Sequence, residues 1–214
     1  MRSSLNINPQ LKLYVEGKII PIYDGFDAGH RRDHAESVIA QALDFCRYYD
    51  VDPNMVYAAA AFHDTGLRGG RERHHLVSGE IIRTDAELPR WFSPEQIEII
   101  AQAAEDHRAS SGSEPRSIYG RIVAEADRLI DPGTVIRRTV QYSLSHYPDY
   151  DIEAHRQRCI AHLREKYGDG GYLRLWIPES PNAARLEALR ALIRDGSALK
   201  KISEEIVLQL RSSR

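Results

Sequence analysis

Ala58-Ala59-Ala60-Ala61-Phe62-His63-Asp64-Thr65-Gly66 is the stretch that decides the fold. Small and apolar residues lead straight into a His-Asp pair, and Thr-Gly follows. Such a run reads as a helix packed tightly against its neighbours. Gly66 is expected to end it in a left-handed conformation. Asp64 then falls in the last turn, near the negative end of the helix dipole, a poor place for a lone carboxylate. A bound cation reverses that penalty, because a divalent ion takes both an imidazole and a carboxylate. The plainer alternative is a His-Asp pair that only hydrogen-bonds. The remaining histidines and aspartates decide between the two.

Working outward, Asp52-Pro53-Asn54 supplies an N-cap and a first-turn proline, so the helix is expected over 53–64. Before it, Val38, Ala42, Phe45 and Cys46 form one apolar face of a helix over about 28–49, with His34 one turn ahead on that face. Leu11, Tyr14, Val15, Ile19 and Ile22 predict a helix that Pro21 kinks or ends; a hairpin turning at Glu16-Gly17 is the alternative. After the decisive stretch comes the loop Arg68-Gly69-Gly70-Arg71-Glu72-Arg73, suited either to holding phosphate or to a solvated turn. His74-His75 opens the next helix. Ser93-Pro94-Glu95-Gln96 then gives a capping-box start, with His107 at that helix's end. Ile122, Val123, Ala126 and Ile130 stripe a helix over about 118–130, bordered by Asp127. Further helices are expected at about 134–146, 151–167, 182–194 and 197–211, with 172–177 as a short extended piece. No alternating strand series occurs, so the fold class is all-α. The chain divides into an N-terminal helical extension (1–27), a core (28–131) and C-terminal helices packed on it (132–214).

Composition narrows the function. Hydrophobic residues make up 42% and charged residues 28%, which excludes a disordered chain. A net charge of −2 gives no global case for nucleic acid or anionic membranes. Cys46 and Cys159 form no CxxC and suit a reduced, cytoplasmic setting. The N-terminus lacks a signal-peptide core, and no apolar run approaches the roughly 20 residues that span a bilayer.

Nine histidines remain to be explained. His34, then His63-Asp64, then His75 and His107, then Asp127 lie on apolar-faced helices, and helices of a bundle can aim such side chains at one interior site. Imidazole with carboxylate suits Mn, Fe, Co, Ni or Zn better than Ca or Mg, and the absence of cysteine ligands argues against a closed structural zinc. The order His34, His63-Asp64, Asp127, within Gly29-His30-Arg31-Arg32-Asp33-His34, Phe62-His63-Asp64-Thr65-Gly66 and Ala124-Glu125-Ala126-Asp127-Arg128-Leu129, resembles the HD superfamily of metal-dependent phosphohydrolases over about residues 28–131. The resemblance implies an HD-type all-α bundle in which His34, His63, Asp64 and Asp127 are the metal ligands. In dinuclear members of that family two further histidines hold a second ion, and His75 and His107 stand in the right order for it, with His74 competing with His75; their other readings are binding of substrate phosphate or hydrogen bonding alone. The Gly-Tyr-Pro signature of the cyclic-dinucleotide branch is missing.

A divalent ion lowers the pKa of bound water from about 16 towards about 7, and the resulting hydroxide can attack phosphorus. Asp64 and Asp106 are the candidate catalytic carboxylates, with Glu105 beside them. Arg71, Arg116 and Arg128 are the candidate substrate-binding residues, with Arg73 and Arg108 behind them. The expected activity is hydrolysis of a phosphate ester of a nucleotide or other small molecule, with one or two transition-metal ions. The expected partners are that substrate and, as an option, a second copy in a homodimer; neither DNA nor membrane is expected. A di-iron oxygenase of the same fold and a non-catalytic metal- or ligand-binding module are the alternatives.

Overall fold

A computed structural model describes residues 6–27 and 30–212. Among them all regular structure is helical, and no helix is long and apolar enough to cross a membrane. The described residues form two compact units: one of 6–27, 30–128 and 176–180, the other of 129–175 and 181–212.

The first unit opens with α1 (Pro9–Tyr14), capped by the Asn8 side chain. Pro21 has no N–H to donate, and the chain answers by widening to a π-helical turn over Val15–Ile19 and then tightening to a 3-10 turn over Ile20–Gly25. The alternative hairpin at Glu16-Gly17 is therefore set aside. Helix α2 spans Arg32–Phe45 and passes into a 3-10 turn at Cys46–Tyr48; the start expected at Ala28-Gly29 lies outside the described residues.

Helix α3 (Pro53–Phe62) begins on the expected Asp52 cap and is buried on every side from Met55 to Phe62. Ala58 to Ala61 are fully buried, and their methyl side chains let α2, α5 (Pro94–Glu105) and α6 (Ile118–Ala126) close around the helix. Phe62, buried among them, is worth about 3–5 kcal/mol against alanine. The helix ends with its apolar run at Phe62 rather than at the expected Asp64, so Asp64 lies just beyond the last turn instead of within it.

Gly66 differs from the expectation. Among the described residues only Gly70 and Gly112 have positive φ. What Gly66 supplies is space: a β-carbon there would meet the His74 carbonyl oxygen at 2.1 Å and the Ser78 nitrogen at 2.6 Å. The 3-10 turn Thr65–Gly69 is pressed against α4 (His74–Thr84), and the Gly66 N–H donates to Ser78 Oγ at 2.9 Å. Helix α5 (Pro94–Glu105) starts on the Ser93/Gln96 capping box. It packs along α4, where Arg83 pairs with Glu98 and Glu105. Helix α6 (Ile118–Ala126) stops before Asp127. Residues 176–180 complete the unit through the Trp176 N–H on buried Glu125 (2.7 Å) and the Tyr49 hydroxyl on Glu179 (2.7 Å).

The second unit holds α7 (Pro132–His146), α8 (Ile152–Tyr167), α9 (Asn182–Arg194) and α10 (Gly196–Ser212). Each turns a stripe of helical period inward, such as His155, Cys159 and Leu163 on α8 or Leu199, Ser203 and Val207 on α10. Residues 172–177, expected as an extended piece, take no regular form.

Candidate metal centre

The side chains of interest sit at helix ends, where backbone groups without helical partners fix them. His34 lies in the first turn of α2, His63 closes α3, His74 opens α4, His107 follows α5, and Asp127 closes α6. Three of the imidazoles share one arrangement. Nδ1 of His63, His74 and His107 each bonds to the carbonyl oxygen three residues earlier, on Ala60 (2.8 Å), Arg71 (2.7 Å) and Ala104 (2.5 Å). With Nδ1 as the donor, each ring presents the lone pair of Nε2 to the interior.

These nitrogens and two carboxylates make two groups able to hold a metal: His34, His63 and Asp127; and Asp64, His74 and His107. Asp64 faces both. Its Oδ2 is 3.3 Å from His63 Nε2 and 3.7 Å from His34 Nε2, while Oδ1 is 3.3 Å from His74 Nε2 and 3.3 Å from His107 Nε2. Asp127 Oδ1 is 3.2 Å from His34 Nε2 and 3.8 Å from His63 Nε2. Two atoms bound to one ion at about 2.1 Å stand roughly 3 to 3.5 Å apart, so these spacings suit shared ligation. Nε2 of His34 and of His63 are buried and make no hydrogen bond in the protein. A buried orphan nitrogen is costly, and a cation resolves the cost. The residues fit divalent metal.

Electrostatics agree. Burial opposes charge on His63, but the Asp64 and Asp127 carboxylates raise it to about 9. Burial resists ionisation of Asp64 and Asp127, yet the surrounding imidazoles hold both well below the usual carboxylate range. Burial and the charge of His107 push His74 down to about 4. Protons on imidazole stand in for the positive charge that a metal would bring.

The structure thus brings together His34, His63, Asp64, Asp127 and His107, and it adds His74 where His75 was expected. His75 belongs to neither group; its ring packs 5.5 Å from that of His74, and its Nδ1 is buried without a partner. Both stand at the start of one helix, and about 100° of turn separates neighbours, so a single residue of register decides which faces inward. Asp106 is turned away as well: it accepts the Arg116 backbone N–H at 2.7 Å and the Arg116 Nε at 2.9 Å. Arg116 thereby pairs with both Asp106 and Glu105 (2.6 Å). Arg128 is buried and gives Nη1 to the carbonyls of His107 (3.1 Å) and Ala124, bracing the two helix ends that carry His107 and Asp127. Arg71 stays exposed.

One residue has no sequence signal. The Tyr23 hydroxyl, fully buried, donates to Ala61 O at 2.8 Å and accepts the Asp64 N–H at 3.3 Å. It secures the turn from α3 into Asp64.

Residues 31–130 match the family model of the HD domain. No curated protein and no solved structure matches the chain.

Proposed function

From the match of residues 31–130 to the HD domain, we propose that the chain is a metal-dependent phosphohydrolase acting on a phosphate ester of a nucleotide or other small molecule, at a site where His34, His63, Asp64, His74, His107 and Asp127 would hold two divalent ions. The observation that carries the reading is that the two oxygens of Asp64 face different ligand groups. Divalent ions bound there would supply Lewis acidity and a water acidified to about pKa 7. The chain's own part is to fix the rings through Nδ1, to hold Asp64 and Asp127 ionised, and to keep the inner face of the site dry. The buried free thiols Cys46 and Cys159, raised to about 11 and about 12 by burial, support a reduced compartment.

Elemental analysis of chelator-free protein, with a phosphoester panel, tests this reading. Two equivalents of metal, with turnover lost in Asp64→Ala along with both ions, is the expected result. Asp64→Ala retaining metal and hydrolysis would overturn it. Four histidines and two aspartates also suit a pair of irons. Two irons together with oxygen consumption, and no phosphoester turnover, would favour the oxygenase reading.

A further inference from the structure

Within the stretch Leu67–Arg73, Arg71 makes contacts in two directions. Its carbonyl receives Nδ1 of His74, a member of the second group. Its guanidinium reaches the other way: Nη2 is 3.3 Å from His30 Nε2, and Nη1 is 3.6 Å from Asp27 Oδ2. His30 Nδ1 is in turn 2.9 Å from Asp27 Oδ1, and the His30 ring stands edge-on to His34, 5.8 Å between centroids. With Arg71 donating to Nε2, His30 must donate through Nδ1 to Asp27, so one carboxylate orients both the ring and the guanidinium. Of these contacts one is a hydrogen bond, from Nη2 to His30, and the other is an ion pair of Nη1 with Asp27. More than half of the Arg71 side chain stays exposed, and the His30 ring it contacts packs against the ring of His34.

Resting on the phosphohydrolase reading, we propose that Arg71 is the phosphoryl-binding residue of this site, and that Asp27 and His30 are positioning residues that hold its guanidinium one ring away from His34. The remaining N–H groups of a guanidinium fixed along one edge match two oxygens of a phosphoryl group, a fit that an ammonium does not reproduce. Fixing the side chain beforehand removes much of the rotamer entropy that an exposed arginine loses on binding.

Orthophosphate binding to the metal-loaded protein, followed by calorimetry, tests the proposal without any knowledge of the substrate. Wild type should bind phosphate. Arg71→Ala should weaken binding tenfold or more with metal content unchanged, Arg71→Lys should recover little, and added guanidinium ion should partly restore binding to Arg71→Ala. Asp27→Asn separates positioning from plain electrostatics. Removing a nearby negative charge would strengthen phosphate binding if charge alone mattered, whereas loss of an orienting carboxylate weakens it. No phosphate binding by wild type, equal affinity in Arg71→Ala, or tighter binding by Asp27→Asn would each overturn the proposal. Phosphate binding that depends on Arg71, without turnover of any phosphoester, would instead overturn the hydrolase reading and leave the clamp standing.

Discussion

A β-carbon on Gly66 would stand 2.1 Å from the carbonyl oxygen of His74. That contact sets how closely the turn carrying Asp64 approaches the helix carrying His74, and it lets one carboxylate reach ligands on both sides. Gly66→Ala must therefore part the two segments, and neither listener to the clash is a flexible side-chain tip, since both nearest atoms are backbone. The expected cost is about 1–3 kcal/mol of stability, read as a lower urea midpoint. Metal content should fall from two equivalents towards one, because the group that includes His74 is displaced while His34, His63 and Asp127 are not.

Placement within α4 gives a second, sharper outcome. His74 Nε2 points at Asp64 Oδ1, and His75 belongs to neither ligand group. His74→Ala should remove one metal equivalent, whereas His75→Ala should keep both, as measured by elemental analysis after gel filtration. The reverse pattern would mean that the start of α4 is rotated by one residue.

Much of this was legible in the residues themselves. The caps at Asp52 and Ser93, the apolar run into His63 and the stripes of α5 and α6 follow local rules of helix chemistry, and those rules position His34, His63, Asp64, His107 and Asp127. What could not be read depends on contacts between elements that only the fold brings together. That His74 rather than His75 meets Asp64 depends on how α4 docks, with the backbone of His74 pressed against Gly66. Arg116 and Arg128 look like free cations until Asp106 and the carbonyls of His107 and Ala124 are seen to occupy them. Tyr23 sits in no motif at all, and only the folded chain shows it against Asp64.

The opposed shifts of His63 and His74 predict how the metal-free protein responds to pH. His63 is raised from 6.5 to about 9, so its contribution is present below pH 6.5 and lost as pH rises to about 9. His74 is lowered to about 4, so its contribution is present above pH 6.5 and lost as pH falls towards 4. The depressed Asp64 and Asp127 add stability that is present above pH 3.8 and lost on further acidification. Thermal unfolding in chelator should therefore peak near pH 6.5 and decline towards pH 9, by up to about 3 kcal/mol. Metal must displace the His63 proton, so the stabilisation it confers should grow over that same interval. A metal-induced rise in Tm that is flat from pH 6.5 to 9 would refute the assignment of His63 as a ligand.

Tyr23 offers a test of how the buried backbone holds the site. Tyr23→Phe keeps the ring and removes only the hydroxyl, leaving the Asp64 N–H and the Ala61 carbonyl without the partner they share. Unsatisfied buried groups cost about 1–3 kcal/mol. Urea unfolding should register that loss. Metal affinity should fall with it, since the turn that aims Asp64 is no longer tied down, and the deficit in stability should shrink as metal is added in excess.

Gly70 closes the set, because its backbone delivers Arg71. Its φ of 98° and ψ of 158° lie in a region that side chains rarely adopt, yet no atom lies within 4 Å of where a β-carbon would sit. Gly70→Ala therefore meets a conformational penalty and no clash, of about 1–3 kcal/mol if the loop keeps its path. An exposed loop can avoid that cost by changing course, which would carry Arg71 away from His30 and Asp27. Phosphate affinity should then drop by a factor close to that of Arg71→Ala, with the urea midpoint almost unchanged. The contrast with Gly66→Ala is the diagnostic point: one glycine is required for packing and its loss appears in stability and metal content, the other for backbone direction and its loss appears in phosphate binding.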